Sequence, residues 1–179
     1  LARGACARYR IDLRPSFGLS GVMRVGSDFV LGTGSFLLAP EPRDASTQLR
    51  ARWELPEGMA FSPLWPEAED GWSTLDERTF RFVGYAAIGA LAIERVPVPG
   101  GCVTIAFAGS ESARTPEERR ALFGRVARAA SRITGRFPAD EAVVTAGVVA
   151  GGPAVGFGVA GRGVLPNIAL FLGSDASAE

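Results

Sequence analysis

Most of the side chains in this 179-residue chain that could do chemistry lack the partner that the chemistry needs. The chain contains no histidine, and all nineteen of its basic residues are arginine. Ser110, Ser112 and Ser131 therefore have no imidazole base, which excludes a serine hydrolase built from this chain alone. The absence of lysine also excludes a Schiff base and a P-loop lysine. The sequence therefore indicates a non-catalytic part of a larger system.

Metal and redox chemistry are equally restricted. The two cysteines, Cys6 and Cys102, cannot replace the missing histidines in a zinc site, so we predict no metal and no cofactor in this chain. They can form one disulfide or remain free, and we slightly favour two free thiols. Glu67, Glu69 and Asp70 lack the spacing of a calcium loop, and we expect them to form a solvated acidic turn.

The segment from Gly156 to Gly161 matches the dinucleotide fingerprint G-x-G-x-x-G. That fingerprint binds pyrophosphate only where it opens a helix, because the helix N-terminus holds the phosphates. Here Gly163 and Pro166 follow closely, which disfavours a helix. No acidic residue stands about 20 positions further on to bind a ribose. We therefore do not expect nucleotide binding.

Glycine is also frequent around this string. The wider cluster is Gly147, Gly151, Gly152, Gly156, Gly158, Gly161 and Gly163. Two interpretations stay open: a loop that needs a permissive backbone, or a place where another backbone approaches closely. In the second interpretation, exposed N–H and C=O groups beside an edge strand can pair with an extended peptide.

Composition predicts a globular chain. Hydrophobic residues make up 47% and charged residues 21% of the sequence, which is typical of a protein that folds around a core. The formal net charge is zero, which disfavours nucleic acid as a partner. We also predict no membrane span, because glycines and Pro153 interrupt the most apolar stretch, 142–164, and no apolar run reaches roughly 18–20 residues.

Alternating apolar and polar residues predict a β-rich region in residues 1–108. The predicted strands are 8–14, 48–55, 79–83, 91–96 and 102–108. Trp53 is expected in the core. Trp65 and Trp72 are expected to pin the proline- and glycine-rich loop at 56–72 or to face a partner.

A helix is predicted to begin after Thr115. Thr115 as N-cap, Pro116 at the first position and Glu118 at the third form a capping box, and Gly135 supplies the C-cap. The apolar stripe at helical spacing is Leu122, Phe123, Val126, Ala129, Ala130 and Ile133. We expect this stripe to face the core. The arginines on the other faces are expected to be solvated, or alternatively to dock a neighbouring domain.

Two further buried strands are predicted after the helix, at 142–149 and 167–172, with the glycine-rich loop between them. The predicted fold class is α+β. A mainly antiparallel, sandwich-like β region at 1–108 is followed, at 109–179, by one long amphipathic helix and a small mixed sheet that open a second domain.

Several short motifs, taken in order, resemble one family. Residues 53–59, WELPEGM, are similar to the W-x-L-P-x-G-W element that ends the N-terminal β domain of the glycyl aminopeptidases. These enzymes are gluzincin metallopeptidases. Residues 36–40 resemble the stretch before that element, and 122–124 and 136–138 resemble the helix and turn that open the catalytic domain. The resemblance extends over roughly residues 8 to 172.

The resemblance implies that Gly151 and Gly152 hold the backbone of a peptide substrate, and that the strand at 167–172 precedes the zinc helix. The sequence departs from the family where Pro153, Ala154 and Val155 stand in place of an acidic residue. The His-Glu-x-x-His of the zinc helix is absent, and the chain is expected to stop before it. The resemblance therefore gives no catalytic or metal-binding residue here, and zinc is expected only if a longer parent has a downstream zinc helix.

The leading hypothesis is a non-catalytic upstream part of a zinc-dependent aminopeptidase-like protein, which scaffolds and lines the peptide site. Its expected partners are a peptide or protein segment and the rest of its own parent chain, in a secreted or periplasmic location. The alternatives are an independent β-rich binding module of a secreted or envelope protein, and part of a pseudoenzyme.

Overall fold

The structure is a computed structural model that describes residues 10, 22–32, 48–62, 65, 67–76, 84–109, 115–149, 155–161 and 165–173. Eleven strands and one helix lie in these residues. In chain order they are β1 (Val22–Val25), β2 (Asp28–Gly32), β3 (Gln48–Ala51), β4 (Ala60–Phe61), β5 (Ser73–Asp76), β6 (Tyr85–Gly89), β7 (Ala92–Val98), β8 (Gly101–Ala108), α1 (Pro116–Thr134), β9 (Glu141–Val149), β10 (Phe157–Gly161) and β11 (Asn167–Gly173). The predicted α+β class is confirmed.

The main sheet has five strands in the order β10-β11-β9-β8-β7. Strands β8, β9 and β11 run parallel, and antiparallel β7 and β10 flank them. Helix α1 is the crossover between β8 and β9, as the parallel pair requires. The predicted strands at 102–108, 142–149 and 167–172 are confirmed as β8, β9 and β11. This sheet also takes β7 and β8 from the segment before residue 109.

Local sequence signals set the bounds of α1. The Thr115 hydroxyl accepts from the Glu118 backbone N–H at 3.3 Å, and the Glu118 carboxylate accepts from the Thr115 N–H at 2.8 Å. Gly135 ends the helix in the left-handed conformation at φ +80°, which glycine adopts without a Cβ penalty. The Glu117 carboxylate in the first turn has a lowered pKa, first because the helix backbone hydrogen-bonds it and also because of Arg120.

The face that α1 turns toward the sheet differs from the predicted one. Its buried residues are Phe123, Gly124, Ala127 and Ser131. Phe123 packs edge-on against Phe107 with ring centroids 5.8 Å apart. The prediction was wrong for Val126 and Ile133, which are 61% and 87% exposed. Small buried residues allow close approach: a Cβ on Gly124 would lie 3.4 Å from Val96 Cγ1.

The other face of the main sheet packs on a four-stranded sheet of order β1-β2-β6-β4. Apolar contact comes from a buried cluster that includes Val25, Val30 and Ala87 of one sheet and Ala108 and Phe171 of the other. These side chains bury apolar area, which is the main favourable term in folding. The two layers therefore share one core.

Buried polar bonds fix how these two sheets meet. The Ser62 and Thr145 hydroxyls, both fully buried, lie 3.2 Å apart. The Asn167 side chain accepts from the Tyr85 N–H at 3.2 Å and donates to the Tyr85 carbonyl at 3.3 Å. Each such group is satisfied across the interface, so sliding one sheet over the other would leave buried polar atoms without partners.

Asp28 makes the tightest of these contacts. Its carboxylate is 1% exposed and accepts from the backbone N–H groups of Ala90 at 2.9 Å and Gly109 at 2.8 Å. Gly89 makes room for it: a Cβ there would lie 2.1 Å from Asp28 Oδ1, and φ is +152°. Only glycine fits at this point.

A separate antiparallel pair, β3 with β5, lies in the first half of the chain. Strand β3 ends at Ala51, so the predicted strand at 48–55 is correct only in its first half. The predicted strand at 91–96 is confirmed as β7. The strands predicted at 79–83 and, apart from Arg10, at 8–14 lie outside the described residues.

Candidate peptide-binding edge

The two glycines assigned to substrate binding, Gly151 and Gly152, lie outside the described residues. The next described residue is Val155, and residues 157–161 form strand β10. The prediction of a loop through this whole segment was therefore wrong at 157–161. No periodicity in the sequence signals β10, because glycine and alanine make up three of its five residues.

Strand β10 is an edge of the main sheet. It pairs antiparallel with β11, from Phe157 opposite Phe171 to Gly161 opposite Asn167. The Gly156 N–H also donates to the Phe171 carbonyl at 2.8 Å. In the described part of the chain, no strand pairs with the other side of β10. That side presents backbone N–H and C=O groups that can accept a further strand.

The side chains of β10 leave this backbone accessible. Gly156, Gly158 and Ala160 are exposed, and none has a side chain larger than a methyl group. Gly158 also lies close over β11, because a Cβ there would be 3.1 Å from Leu170 Cδ2. The strand contains neither a charge nor a proline. It therefore lacks the devices by which sheet edges usually prevent pairing.

The opposite edge, β7, has those devices. Pro97 lies within the strand and cannot donate a backbone hydrogen bond. Arg95 is exposed, with its guanidinium 3.8 Å from Glu141. Glu94 points inward, where its carboxylate is 7% exposed and lies 2.9 Å from Arg119 and 3.5 Å from Arg120. An inward charge, an edge charge and a proline together block this edge.

The G-x-G-x-x-G string at 156–161 belongs to this edge. It lies in β10 and the residue before it, and no helix follows it in the described residues up to 173. The pyrophosphate site needs a helix N-terminus directly after the glycines. In the described residues this string therefore forms an edge strand and does not open a helix.

Comparison with solved structures shows a likeness to an aminopeptidase N family protein. No protein-family model matches the sequence, and no curated protein matches it. A crystal structure of an aminopeptidase N family protein from Idiomarina loihiensis is similar over 82% of this chain, with a TM-score of 0.59 and 17% sequence identity. The match covers 25% of that structure, so the chain spans about a quarter of its length. At this identity the likeness shows a shared fold.

A second candidate site lies in the first half of the chain. It is a cavity of about 350 Å³ whose walls include Trp53, Phe61 and Trp65, with Arg52, Glu67 and Ser73 among the other lining residues. The Trp53 ring stacks on Phe61 at 4.1 Å and near-parallel to Trp65 at 6.2 Å. Trp65 is buried in the core cluster rather than facing outward.

Trp72 has a different surrounding. The guanidinium carbons of Arg50 and Arg52 lie 4.9 and 5.1 Å from its ring centroid, in cation–π contacts. Arg50 also pairs with Asp70 at 2.7 Å. Trp72 therefore pins the turn at 67–72, as the sequence suggested.

The remaining candidate groups do not come together in the part of the chain that the structure describes. Glu67, Glu69 and Asp70 are exposed, and within the described ranges no three acidic or cysteine side chains are close enough to hold a metal. Ser131 donates to the Ala127 carbonyl at 2.9 Å, while Ser110 and Ser112 lie outside the described residues.

Cys102 is a free thiol beside the β7 edge, and Cys6 lies outside the described residues. The neighbouring Cys102, and after it the charge of Glu141, raise the pKa of the Arg95 guanidinium. The helix in the described part of the chain is too polar to cross a membrane.

Proposed function

We propose that this chain is the upstream, non-catalytic part of a zinc-dependent aminopeptidase-like protein, and that β10 holds an extended peptide by backbone pairing. The bare outer side of β10 is the observation that supports this role most directly. The fold shared with an aminopeptidase N family protein supports the peptidase context. In this role the five-stranded sheet acts as a rigid scaffold for the peptide.

Backbone pairing gives affinity without dependence on particular side chains. Exposed Gly156, Gly158 and Ala160 let a second backbone approach within hydrogen-bond distance, where larger side chains on the same strand would restrict it. Any preference for particular peptide sequences would then come from alternate side chains of the peptide, which point to opposite faces of the sheet. A substrate lined up this way would present its backbone in a fixed direction.

Zinc does not fit the residues described here. The donor set lacks histidine altogether, and no described group of acidic or cysteine residues converges. We therefore place the metal, if the parent has one, on residues beyond this chain. The isolated chain should show neither peptide hydrolysis nor stoichiometric zinc, and turnover or a zinc-to-protein ratio near one would contradict the proposal.

A direct test is binding of a fluorescent heptapeptide of alternating threonine and valine, followed by anisotropy. Two N-methylated versions, each blocking alternate N–H groups, are the peptide controls. Because successive N–H groups of a strand point to opposite edges, one of the two should lose binding and the other should keep it. Equal binding of all three peptides, or no binding at all, would contradict backbone pairing.

Proline substitutions at adjacent positions test the protein side. In Gly158→Pro and Val159→Pro, one lost N–H faces β11 and the other faces outward. The variant with an unchanged melting temperature should lose peptide binding. If that variant binds normally, the peptide does not use this edge.

The cavity favours a second candidate function, an independent β-rich binding module. Trp53, Phe61 and Trp65 form an apolar wall, and Ser73, which is 4% exposed, adds a hydroxyl-bearing residue to the lining. Such a pocket suits a small, partly apolar ligand with one polar group. A change in tryptophan fluorescence on screening small aromatic and sugar ligands, abolished in Trp65→Leu, would favour this module over the peptide edge.

A further inference from the structure

Helix α1 has a second apolar stripe, most of which faces away from the sheet. It consists of Leu122, Val126, Ala129 and Ile133. Leu122, at the start of the stripe, is half-buried and packs against the core under the helix, whereas Ala129 is exposed and Val126 and Ile133 are 61% and 87% exposed. An exposed isoleucine on a well-formed helix leaves apolar area in water that contact with a partner would bury.

The spacing of this outer stripe is four, three and four residues. That is the a/d spacing of a coiled-coil seam, with Val126 and Ile133 at a positions and Leu122 and Ala129 at d positions. Both a positions are β-branched, as two-stranded coiled coils prefer. The outer stripe covers three helical turns, about 16 Å of the helix. It therefore has the geometry to pack along one other helix.

Arginines flank the outer stripe. In this heptad numbering, Arg125 and Arg132 occupy the g positions of two successive heptads and lie beside the outer stripe. Both are exposed, and neither forms an ion pair with any carboxylate in the described residues, whereas Arg119 and Arg120 of the same helix pair with Glu94. Arg128 lies elsewhere, folded back over Gly124. The charge beside the seam is thus positive and uncompensated.

We propose that the outer stripe of α1 binds an acidic helix of a second polypeptide, whose apolar residues follow the same spacing and whose glutamates face Arg125 and Arg132. Opposite charges at flanking positions of a coiled coil set the choice of partner. A second copy supplies no carboxylate to these arginines, since it would set Phe123 and Ala130 opposite them in a parallel pair and the same arginines in an antiparallel pair.

An anionic membrane fits the outer stripe less well than an acidic helix does. Helices that lie on membranes present bulky aromatic and leucine side chains with basic residues around them. Here the exposed apolar residues, Val126, Ala129 and Ile133, are small or β-branched, and by their heptad positions Arg125 and Arg132 lie on one side of them. Positive charge on only one side of the apolar residues suits contact with one neighbouring helix better than contact with a membrane surface.

The test uses a synthetic 21-residue helical peptide with isoleucine at a, leucine at d and glutamate at e and g. Repulsion between its own glutamates keeps it from self-pairing. A second peptide with lysine in place of glutamate is the charge-reversed probe. Binding is measured by anisotropy of labelled peptide, and vesicles of phosphatidylglycerol are titrated in parallel.

The wild-type chain should bind the acidic peptide and not the basic one, more weakly as salt increases. The double variant Arg125→Glu, Arg132→Glu should lose roughly tenfold in affinity for the acidic peptide and gain binding of the basic one. The matched variant Arg128→Glu, Arg136→Glu makes the same charge change away from the seam and should bind as wild type. Ile133→Ser should weaken binding of the acidic peptide, and in the double variant it should also weaken binding of the basic peptide.

Arg132 lies in the last turn of α1, so Arg132→Glu should lower the melting temperature slightly through the helix dipole, whereas the other substitutions on exposed residues should leave it unchanged. No binding of the acidic peptide overturns the proposal, as does an equal loss in the two double variants. Vesicles that bind the chain as tightly as the peptide does would assign the face to a membrane instead. None of these outcomes bears on peptide pairing at β10, which lies on a different element.

Discussion

At one edge of the five-stranded sheet, β7 contains Pro97, exposes Arg95 and turns Glu94 inward against α1, whereas at the other edge β10 presents glycine and alanine and no charge. Both strands are antiparallel to their neighbours and belong to the same sheet. They differ in how the sequence treats an unpaired backbone. The first edge is blocked, and the second is left open.

The comparison shows that one edge of this sheet, β7, carries residues that prevent strand pairing, whereas the other edge, β10, does not. An unprotected edge promotes aggregation, so proteins normally block it or cover it. In this chain β7 carries an inward ion pair and a proline, whereas β10 carries neither. Among the described residues no strand covers β10, and the proposed pairing with an extended peptide would account for this difference between the two edges.

The largest effect should come from removing the inward charge at β7. Glu94→Ala removes the buried carboxylate that lies 2.9 Å from Arg119, whose side chain is 11% exposed. Loss of one member of a buried ion pair should lower the free energy of unfolding by about 3 kcal/mol or more. Urea denaturation measures it. Arg120→Ala is the control, since its side chain is 44% exposed and should cost less than about 1 kcal/mol. Equal losses would show that Glu94 is not buried as described.

A smaller loss should follow from shortening the helix that covers β7. Thr115→Ala removes the hydroxyl that caps the Glu118 N–H and should cost about 1 kcal/mol. Thr115→Ser keeps the cap and should be close to wild type. Thermal melts of the two variants separate capping from a general effect of mutation at this site.

Opening the blocked edge should change association more than stability. In Arg95→Thr, Pro97→Val the strand regains an N–H and loses its charge, so β7 comes to resemble β10. We expect self-association to rise with concentration in sedimentation velocity, with little change in melting temperature. A double variant that stays as monodisperse as wild type would indicate that these residues do not guard the edge.

The smallest effect concerns pH. Glu117 has a pKa lowered from 4.5, first by its bonds to the helix backbone. A carboxyl with a lower pKa in the folded state stabilises the fold above its unfolded pKa, and this contribution is lost as pH falls through the folded pKa. The melting temperatures of wild type and Glu117→Gln should therefore differ slightly at pH 7 and converge in acid. A difference that grows in acid would contradict the sign.

The bounds of α1 were predictable because Thr115, Pro116, Glu118 and Gly135 act locally. Which side of α1 faces the sheet was not. Phe123 of the predicted stripe is buried, but Gly124 and Ala127 lie against the sheet in place of Val126 and Ile133, because small residues let the helix approach β7. That choice depends on packing between elements, which helical spacing does not encode.

The candidate site was predictable only in part. Exposed backbone near the glycines was one of two interpretations that the sequence left open, and the structure contains an edge strand there. The strand itself could not be predicted, since pairing with β11 creates it and its glycines weaken any strand propensity. The substrate role of Gly151 and Gly152 stays a prediction.

Amide hydrogen exchange by NMR, with and without the threonine–valine heptapeptide, tests peptide pairing at β10 most directly. Only N–H groups that form new bonds should be protected. Alternate amides of β10 should exchange more slowly with the peptide present, while amides of β7 should not change. Protection along β7, or no protection along β10 at saturating peptide, would contradict the account.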